Sequence, residues 1–170
     1  MKLPWRVATY GPAIYTSLTD AEAQELVRLS AGKWVLEVGA AYGYSTVLLA
    51  ENAKHVDSVD PHETHQSLDS LRSNLREYGI ARRVEVHIGF SSEVLPKLRA
   101  ATYDLVFIDG DHTAPGVAHD LEHALRLAAP EGVLAFHDWN EETCPGVRQA
   151  LEAWRQPDYI VDTLAVFQLA

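Results

Sequence analysis

The pattern of this chain predicts a single doubly wound α/β sheet, mostly parallel, with one antiparallel strand contributed by a C-terminal hairpin. Three observations carry that expectation. Apolar runs of strand length alternate with amphipathic helical segments from Asp20 to the C-terminus, the pattern of parallel strands joined by crossover helices. No linker or internal repeat interrupts the alternation. The last two strand-like runs, 159–162 and 164–169, are separated by too few residues for a crossover. Parallel neighbours need about a dozen connecting residues, so these two must pair as a hairpin.

The elements follow in order. Thr19 and Glu22 form a capping box ahead of a helix over 20–31. A strand over 33–39 leads to a helix over 44–53, and a short second strand covers 56–60. Leu68, Leu71, Leu75 and Tyr78 recur at helical spacing within a helix over 63–78, which Gly79 stops. A third strand over 84–88, a short helix over 91–99 and a fourth strand over 104–108 come next. The helix over 114–129 places Val117, Leu121, Leu125 and Ala128 on one face, leaving His119 and His123 beside Glu122 and Arg126 on a solvated one. Pro130-Glu131-Gly132 turns into a fifth strand, 133–136. A helix over 145–156 turns Val147, Ala150, Leu151 and Trp154 inward, and the hairpin brings the strands to seven in a Rossmann-like sheet.

The division expected is an N-terminal arm, 1–19, and one domain, 20–170. The arm carries Trp5, Tyr10 and Tyr15 with Pro4 and Pro12. It is too short for a domain and is expected to cover the site or to pack on a second copy in a homodimer.

At 170 residues, one core can bury about two thirds of the unfolded surface. Twenty-four acidic against 14 basic residues leave a formal charge of −10. That balance argues against nucleic acid, whose affinity rests on Lys and Arg neutralising phosphates, and against an anionic membrane surface. The pair Arg82-Arg83 reads as a solvated strand end. A lone Cys144 excludes an intrachain disulfide and fits a reducing compartment. No basic-then-apolar leader opens the sequence, and no apolar run reaches the roughly 18 residues of a membrane helix. A cytoplasmic location is the expectation.

The most informative stretch is the break after the first strand, where Gly39 and Gly43 flank Ala40, Ala41 and Tyr42 before a helix opens at Tyr44-Ser45-Thr46. Glycines at a strand-to-helix turn let backbone approach a ligand, and the helix start offers free N–H groups. A dinucleotide fingerprint would need Gly at 41 and 44, where Ala41 and Tyr44 stand. Glu37, two residues before the turn, would repel a pyrophosphate. A cationic nucleoside bearing a carboxylate suits it better, and S-adenosylmethionine fits that description.

Ligands of open α/β sheets bind beyond the carboxyl ends of the strands, where strand order reverses. Polar residues crown each of the first five strands: Glu37 and Gly39, Asp60, Gly89-Phe90-Ser91, Asp109 with Gly110-Asp111-His112, and His137-Asp138. Asp60, 21 residues after Gly39, is placed to accept from ribose hydroxyls.

Taken together, the turn from Glu37 to Ser45, the run Phe107-Ile108-Asp109-Gly110-Asp111-His112 and Phe136-His137-Asp138 resemble class I S-adenosylmethionine-dependent methyltransferases. The nearest likeness is to the small metal-dependent O-methyltransferases of the catechol and macrolide-sugar types, over about residues 30–170. Many methyltransferases carry a middle glycine where Ala41 stands; the catechol-like branch lacks it as well.

The resemblance implies that Glu37, Gly39, Gly43 and Ser45 hold the methionine end of the cofactor, Asp60 the ribose, and Phe90 and Ser91 the adenine. It also implies a divalent ion, Mg²⁺ in most members, held by Asp109, Asp138 and either His137 or Asn140. Mg²⁺ prefers oxygen ligands, so His137 as a ligand would shift the choice toward Mn²⁺, Fe²⁺ or Zn²⁺. His112 falls where relatives carry a catalytic Lys or His, which makes it the base, with Asp109 beside it. The acceptor implied is a hydroxyl of a small molecule. Two other readings stay open, a metal-independent methyltransferase of the same fold and a sensor that binds S-adenosylmethionine without turnover. His62, His65 and Cys144 are expected to stay outside the chemistry, the two histidines on the surface. The loop 138–146, with Trp139, Glu141 and Glu142, is the expected substrate wall.

Overall fold

The computed structural model describes residues 6–170, so Pro4 and Trp5 of the arm lie outside the described residues. A two-stranded antiparallel hairpin, β1 (Arg6–Val7) and β2 (Tyr15–Thr16), comes first. The main sheet then unfolds as α1 (Asp20–Ser30), β3 (Trp34–Val38), α2 (Tyr44–Asn52), β4 (His55–Asp60), α3 (Ser67–Glu77) and β5 (Val84–Ile88). It continues through α4 (Ser91–Val94), β6 (Tyr103–Ile108), α5 (Ala114–Leu127), β7 (Ala128–Phe136), α6 (Pro145–Glu152), β8 (Tyr159–Val161) and β9 (Leu164–Gln168).

Seven strands lie in the order β5-β4-β3-β6-β7-β9-β8. The pairs β3–β4, β3–β6, β4–β5 and β6–β7 are parallel, and β9 runs antiparallel to both β7 and β8. The predicted doubly wound sheet with its C-terminal hairpin is the sheet observed. From β3 the chain moves outward through β4 to β5, then returns to β6 on the other side of β3. The crevice between the ends of β3 and β6 is thus the switch point where such sheets bind ligands.

Strand periodicity divides the core into two layers. Val35, Val56, Leu105, Phe107 and Ala135 meet Leu26, Leu49 and Leu71 on one face. Leu36, Val59, Val106, Ile108 and Phe136 meet Leu95, Leu121 and Leu151 on the other. Alternate residues of each strand supply the two faces, as a sheet buried on both sides requires.

Five elements differ from the sequence expectation. The helix expected over 145–156 ends at Glu152. The helix predicted over 63–78 starts at Ser67, because the Asp60 carboxylate accepts from the His62 N–H at 2.6 Å and holds the chain in a turn; His62 and Gln66 have φ of 55° and 57°. The helix predicted over 91–99 is one turn followed by a 3₁₀ turn, Leu95–Lys97. On α5 the buried stripe is Val117, Leu121, Ala124 and Leu127, and Leu125 is exposed. The fifth strand begins at Ala128 and carries an irregularity before Val133.

No described helix is long and apolar enough to cross a membrane.

Candidate active site

Gly39 and Gly43 build the turn at the switch point, with φ of 94° and 92°. A Cβ on Gly39 would stand 2.0 Å from the Asp109 carbonyl oxygen, so β3 and β6 meet through bare backbone here. At Gly43 a Cβ would meet the Leu71 side chain at 2.5 Å. Gly43 caps α2 in the left-handed region and gives the first helical N–H groups no side-chain hydrogen bond.

A cavity of about 590 Å³ opens along this edge, lined among others by Gly39, Asp60, Phe90, Ser91, Asp109 and His119. A small recess continues from it between Gly39, Ser45 and Asp109 on one side and Tyr15, Thr16, Ser17 and Leu18 on the other. Four arm residues, Tyr15 to Leu18, thus line this recess. Tyr44 fastens the arm, its hydroxyl donating to the Tyr10 carbonyl at 2.9 Å.

Asp60 stands at the cavity wall with each oxygen accepting a backbone N–H, Oδ2 from Ala41 at 2.9 Å and Oδ1 from His62 at 2.6 Å. A carboxylate oxygen has a further lone pair for another donor. Ser45 borders the recess, and Phe90 and Ser91 border the cavity.

Glu37 does not reach the cavity. It is fully buried, its Oε2 accepting from the Thr46 and Ser58 hydroxyls at 2.6 and 2.7 Å. Burial is the main reason its pKa is pushed up to about 7, against the lowering effect of its hydroxyl donors. Glu37 thus braces the turn from beneath, tying α2 to β4. An i, i+2 spacing in a strand puts Glu37 on the face beneath α2.

Beyond the turn, acids and histidines converge. Asp109, His137 and Asp138 bring one ligand atom each within 4.8 Å of one another. His137 Nδ1 lies 3.2 Å from Asp109 Oδ1 and 3.4 Å from Asp138 Oδ1. His112 Nε2 lies 2.8 Å from Asp138 Oδ2 and 3.5 Å from Asp109 Oδ1. Burial alone would raise the Asp109 pKa, but His137 and His112 hold it well below the usual carboxylate range. For His137 burial disfavours charge, yet Asp109 and Glu22 raise its pKa well above the ordinary value.

Asp138 has a φ of 63°. Adjacent strand residues normally point to opposite faces; this left-handed residue brings the Asp138 carboxylate back beside His137. A non-glycine residue in that region costs of order 1–3 kcal/mol and is typical of functional sites.

The exposed Asn140 side chain donates toward the Asp162 carbonyl at 3.5 Å. Several expectations fail on geometry. Trp139 is buried against Phe167, so it belongs to the core and not to a substrate wall. His62 is buried against Ser67, not on the surface. His119, assigned to a solvated face, lines the cavity. Cys144 is buried with its Sγ 3.7 Å from Asp138 Oδ2.

One residue was hidden in plain view. Glu22, read only as a capping-box partner, is fully buried and accepts from Thr19 N–H at 2.8 Å. It also accepts from the Thr163 N–H and hydroxyl at 2.8 and 2.7 Å, and stands 3.2 Å from His137 Nε2. A capping motif explains its local bond and gives no sign of the other three.

Residues 36–139 match a family model described as a methyltransferase domain. A catechol O-methyltransferase of Mycobacterium tuberculosis is 34% identical over 142 residues, covering 72% of this chain and 63% of that protein. Another catechol O-methyltransferase, of Niastella koreensis, is 31% identical over 136 residues, covering 75% and 58%. The chain thus spans about three fifths of the length of these curated relatives. The crystal structure of the O-methyltransferase TomG from Streptomyces achromogenes, in complex with S-adenosylmethionine, has the same fold: TM-score 0.72 at 23% identity, over 90% of this chain and 82% of that one. With the family model spanning the whole stretch from the glycine turn to the acid–histidine cluster, the chain belongs to the class I S-adenosylmethionine-dependent methyltransferases and is similar to their small O-methyltransferases.

Proposed function

We propose that this chain transfers the methyl group of S-adenosylmethionine to a hydroxyl of a small molecule, with assistance from a divalent metal ion. The observation that carries the reading is that Asp109 belongs at once to the cofactor-sized cavity and to the cluster it shares with His112, His137 and Asp138. Cofactor and acceptor would meet at that residue. The relatives named as catechol O-methyltransferases support a hydroxylated, phenol-like acceptor.

In this reading Asp60 holds the ribose, Phe90 and Ser91 flank the adenine, and Gly39 and Ser45 border the methionine end. Gly43 leaves the α2 N-terminus open toward the carboxylate. Glu37 contributes from behind the turn, as charge and as a brace. The arm covers the methionine end.

The donor set fits a divalent ion. Two carboxylates and an imidazole are ligands for Mn²⁺, Fe²⁺ or Zn²⁺ more than for Mg²⁺. Glu22 on the far nitrogen of His137 supplies the carboxylate partner that metal-binding histidines usually have. Such an ion, when bound, supplies Lewis acidity that lowers the pKa of the acceptor hydroxyl. His112 takes the proton released, and the Asp138 carboxylate beside Nε2 orients its ring and stabilises the imidazolium formed.

A second reading is favoured by one observation. His137 stands between Asp109 and Glu22, whose carboxylates favour its charged form, and an imidazolium there would suit a metal-independent enzyme. The test is release of S-adenosylhomocysteine across a panel of catechols and other hydroxylated acceptors, with chelator and with Mg²⁺, Mn²⁺ or Zn²⁺. Acceptor-dependent release that needs the ion is expected, and His112→Gln should lower kcat by roughly 10²–10⁴-fold. Full activity in chelator supports the second reading. Cofactor binding without release for any acceptor would overturn both in favour of a sensor.

A further inference from the structure

We infer that His55, Asp57, Glu85 and His87 form a second metal site, suited to a four-coordinate transition ion such as Zn²⁺, on β4 and β5 behind the cofactor edge. The residues come as two i, i+2 pairs on neighbouring parallel strands, His55 and Asp57 on β4 and Glu85 and His87 on β5, with Asp57 paired to Glu85 in the register. An i, i+2 spacing keeps each pair on one face. Asp57 precedes Asp60 by three residues, so the cluster stands about 10 Å back along the strand from the cofactor edge.

The ligand atoms are already gathered. One atom each from His55, Asp57 and Glu85 lies within 4.8 Å of the others. His87 Nε2 is 2.6 Å from Asp57 Oδ1 and 4.0 Å from Glu85 Oε1, and His55 Nε2 is 3.6 Å from Asp57 Oδ2. Ligands at Zn–N and Zn–O bond lengths sit about 3.3 Å apart around a tetrahedron. Asp57 stands between the two imidazoles and would be shared by them until an ion takes its place at the centre of the set. Two imidazoles and two carboxylates are the donors such an ion takes, and its affinity leads over earlier divalent metals at a nitrogen-containing site.

The surroundings hold the ligands as a built site would. Tyr103 donates its hydroxyl to Asp57 Oδ2 at 2.9 Å, the outer partner expected of a ligating carboxylate. The Trp34 ring lies 4.9 Å from that of His55 and limits its swing. Glu85 is exposed and gives an entering ion access from solvent. Because β5 is the outermost strand, an ion held by both strands would fasten the sheet edge to β4.

The acid–histidine cluster of the candidate active site also attracts zinc, so the test uses a background that disables it. In the Asp109→Asn/Asp138→Asn double variant, zinc is titrated against a chromogenic chelator, and Co²⁺ is substituted to read the ligand-field bands of a tetrahedral site. One zinc per chain with tetrahedral Co²⁺ bands is expected. Adding His55→Gln should abolish that binding. His55 is half-buried between Asp57 and the Trp34 ring, outside the two core layers, so this change leaves the core packing in place. Adding Tyr103→Phe should weaken binding by roughly tenfold or more. Absence of zinc in the double variant, or zinc binding indifferent to His55→Gln in a variant that melts like its parent, would overturn the site. Neither result depends on methyl transfer, so the proposed function stands or falls separately.

Discussion

Glu22 and His137 are 115 residues apart in sequence, yet Glu22 Oε2 stands 3.2 Å from His137 Nε2 inside the core. The same carboxylate closes the N-terminus of α1 and anchors Thr163 in the turn between β8 and β9. One buried acid thus locks a helix, a hairpin and a site histidine together. Removing one partner of a buried charged pair costs about 3–5 kcal/mol.

Glu22→Ala should therefore destabilise the fold by about that amount in urea unfolding, and Glu22→Gln by less. Burial raises the Glu22 pKa, but His137 and the threonine donors bring it below its ordinary 4.5. The folded state binds the ionised form more tightly, so this stabilisation is complete above about pH 4.5 and fades as pH falls through the lower, folded pKa. Stability curves measured from pH 3 to 6 should lose part of their acid slope in Glu22→Gln.

Glu37 has the opposite sign. Its pKa is pushed from an ordinary 4.5 to about 7, so between those values the unfolded chain releases a proton that the fold retains. Stability should decline as pH rises through that window and level off above it, by on the order of 3 kcal/mol. Glu37→Gln should flatten the decline in unfolding curves collected from pH 4 to 8. An unchanged slope would show that another group is responsible.

The two glycines of the turn should respond differently. Gly39→Ala drives a Cβ to 2.0 Å from the Asp109 backbone carbonyl, which cannot move without shifting β6. Gly43→Ala meets the end of the Leu71 side chain, which can rotate away. Both changes carry the strain of positive φ, about 1–3 kcal/mol. Calorimetry with S-adenosylmethionine should find binding lost in Gly39→Ala and only weakened in Gly43→Ala.

At Asp138 the backbone and the carboxylate can be separated. Asp138→Gly relieves the left-handed conformation, while Asp138→Asn keeps a residue that tolerates it. Both remove the charge beside His112 and His137. Turnover should collapse in both, with the glycine variant melting at least as high as the asparagine one. Normal turnover in either would remove Asp138 from the chemistry.

Local order was legible in the residues themselves. Strand and helix periods are set within a few positions, and connection length alone made the last two strands a hairpin. The glycine turn and the polar strand ends were readable for the same reason: each is a property of one short segment. What the residues could not show is which distant groups share a space. The Glu22–His137 contact depends on how α1 packs beneath the sheet. The turn of Asp138 back toward His137 depends on a left-handed backbone that nothing in His137-Asp138-Trp139 announces. Whether Trp139 faced substrate or core was decided by Phe167, 28 residues away. Periodicity assigns a residue to a face; only three-dimensional packing assigns its partner, because partners across a sheet are chosen by topology and not by spacing.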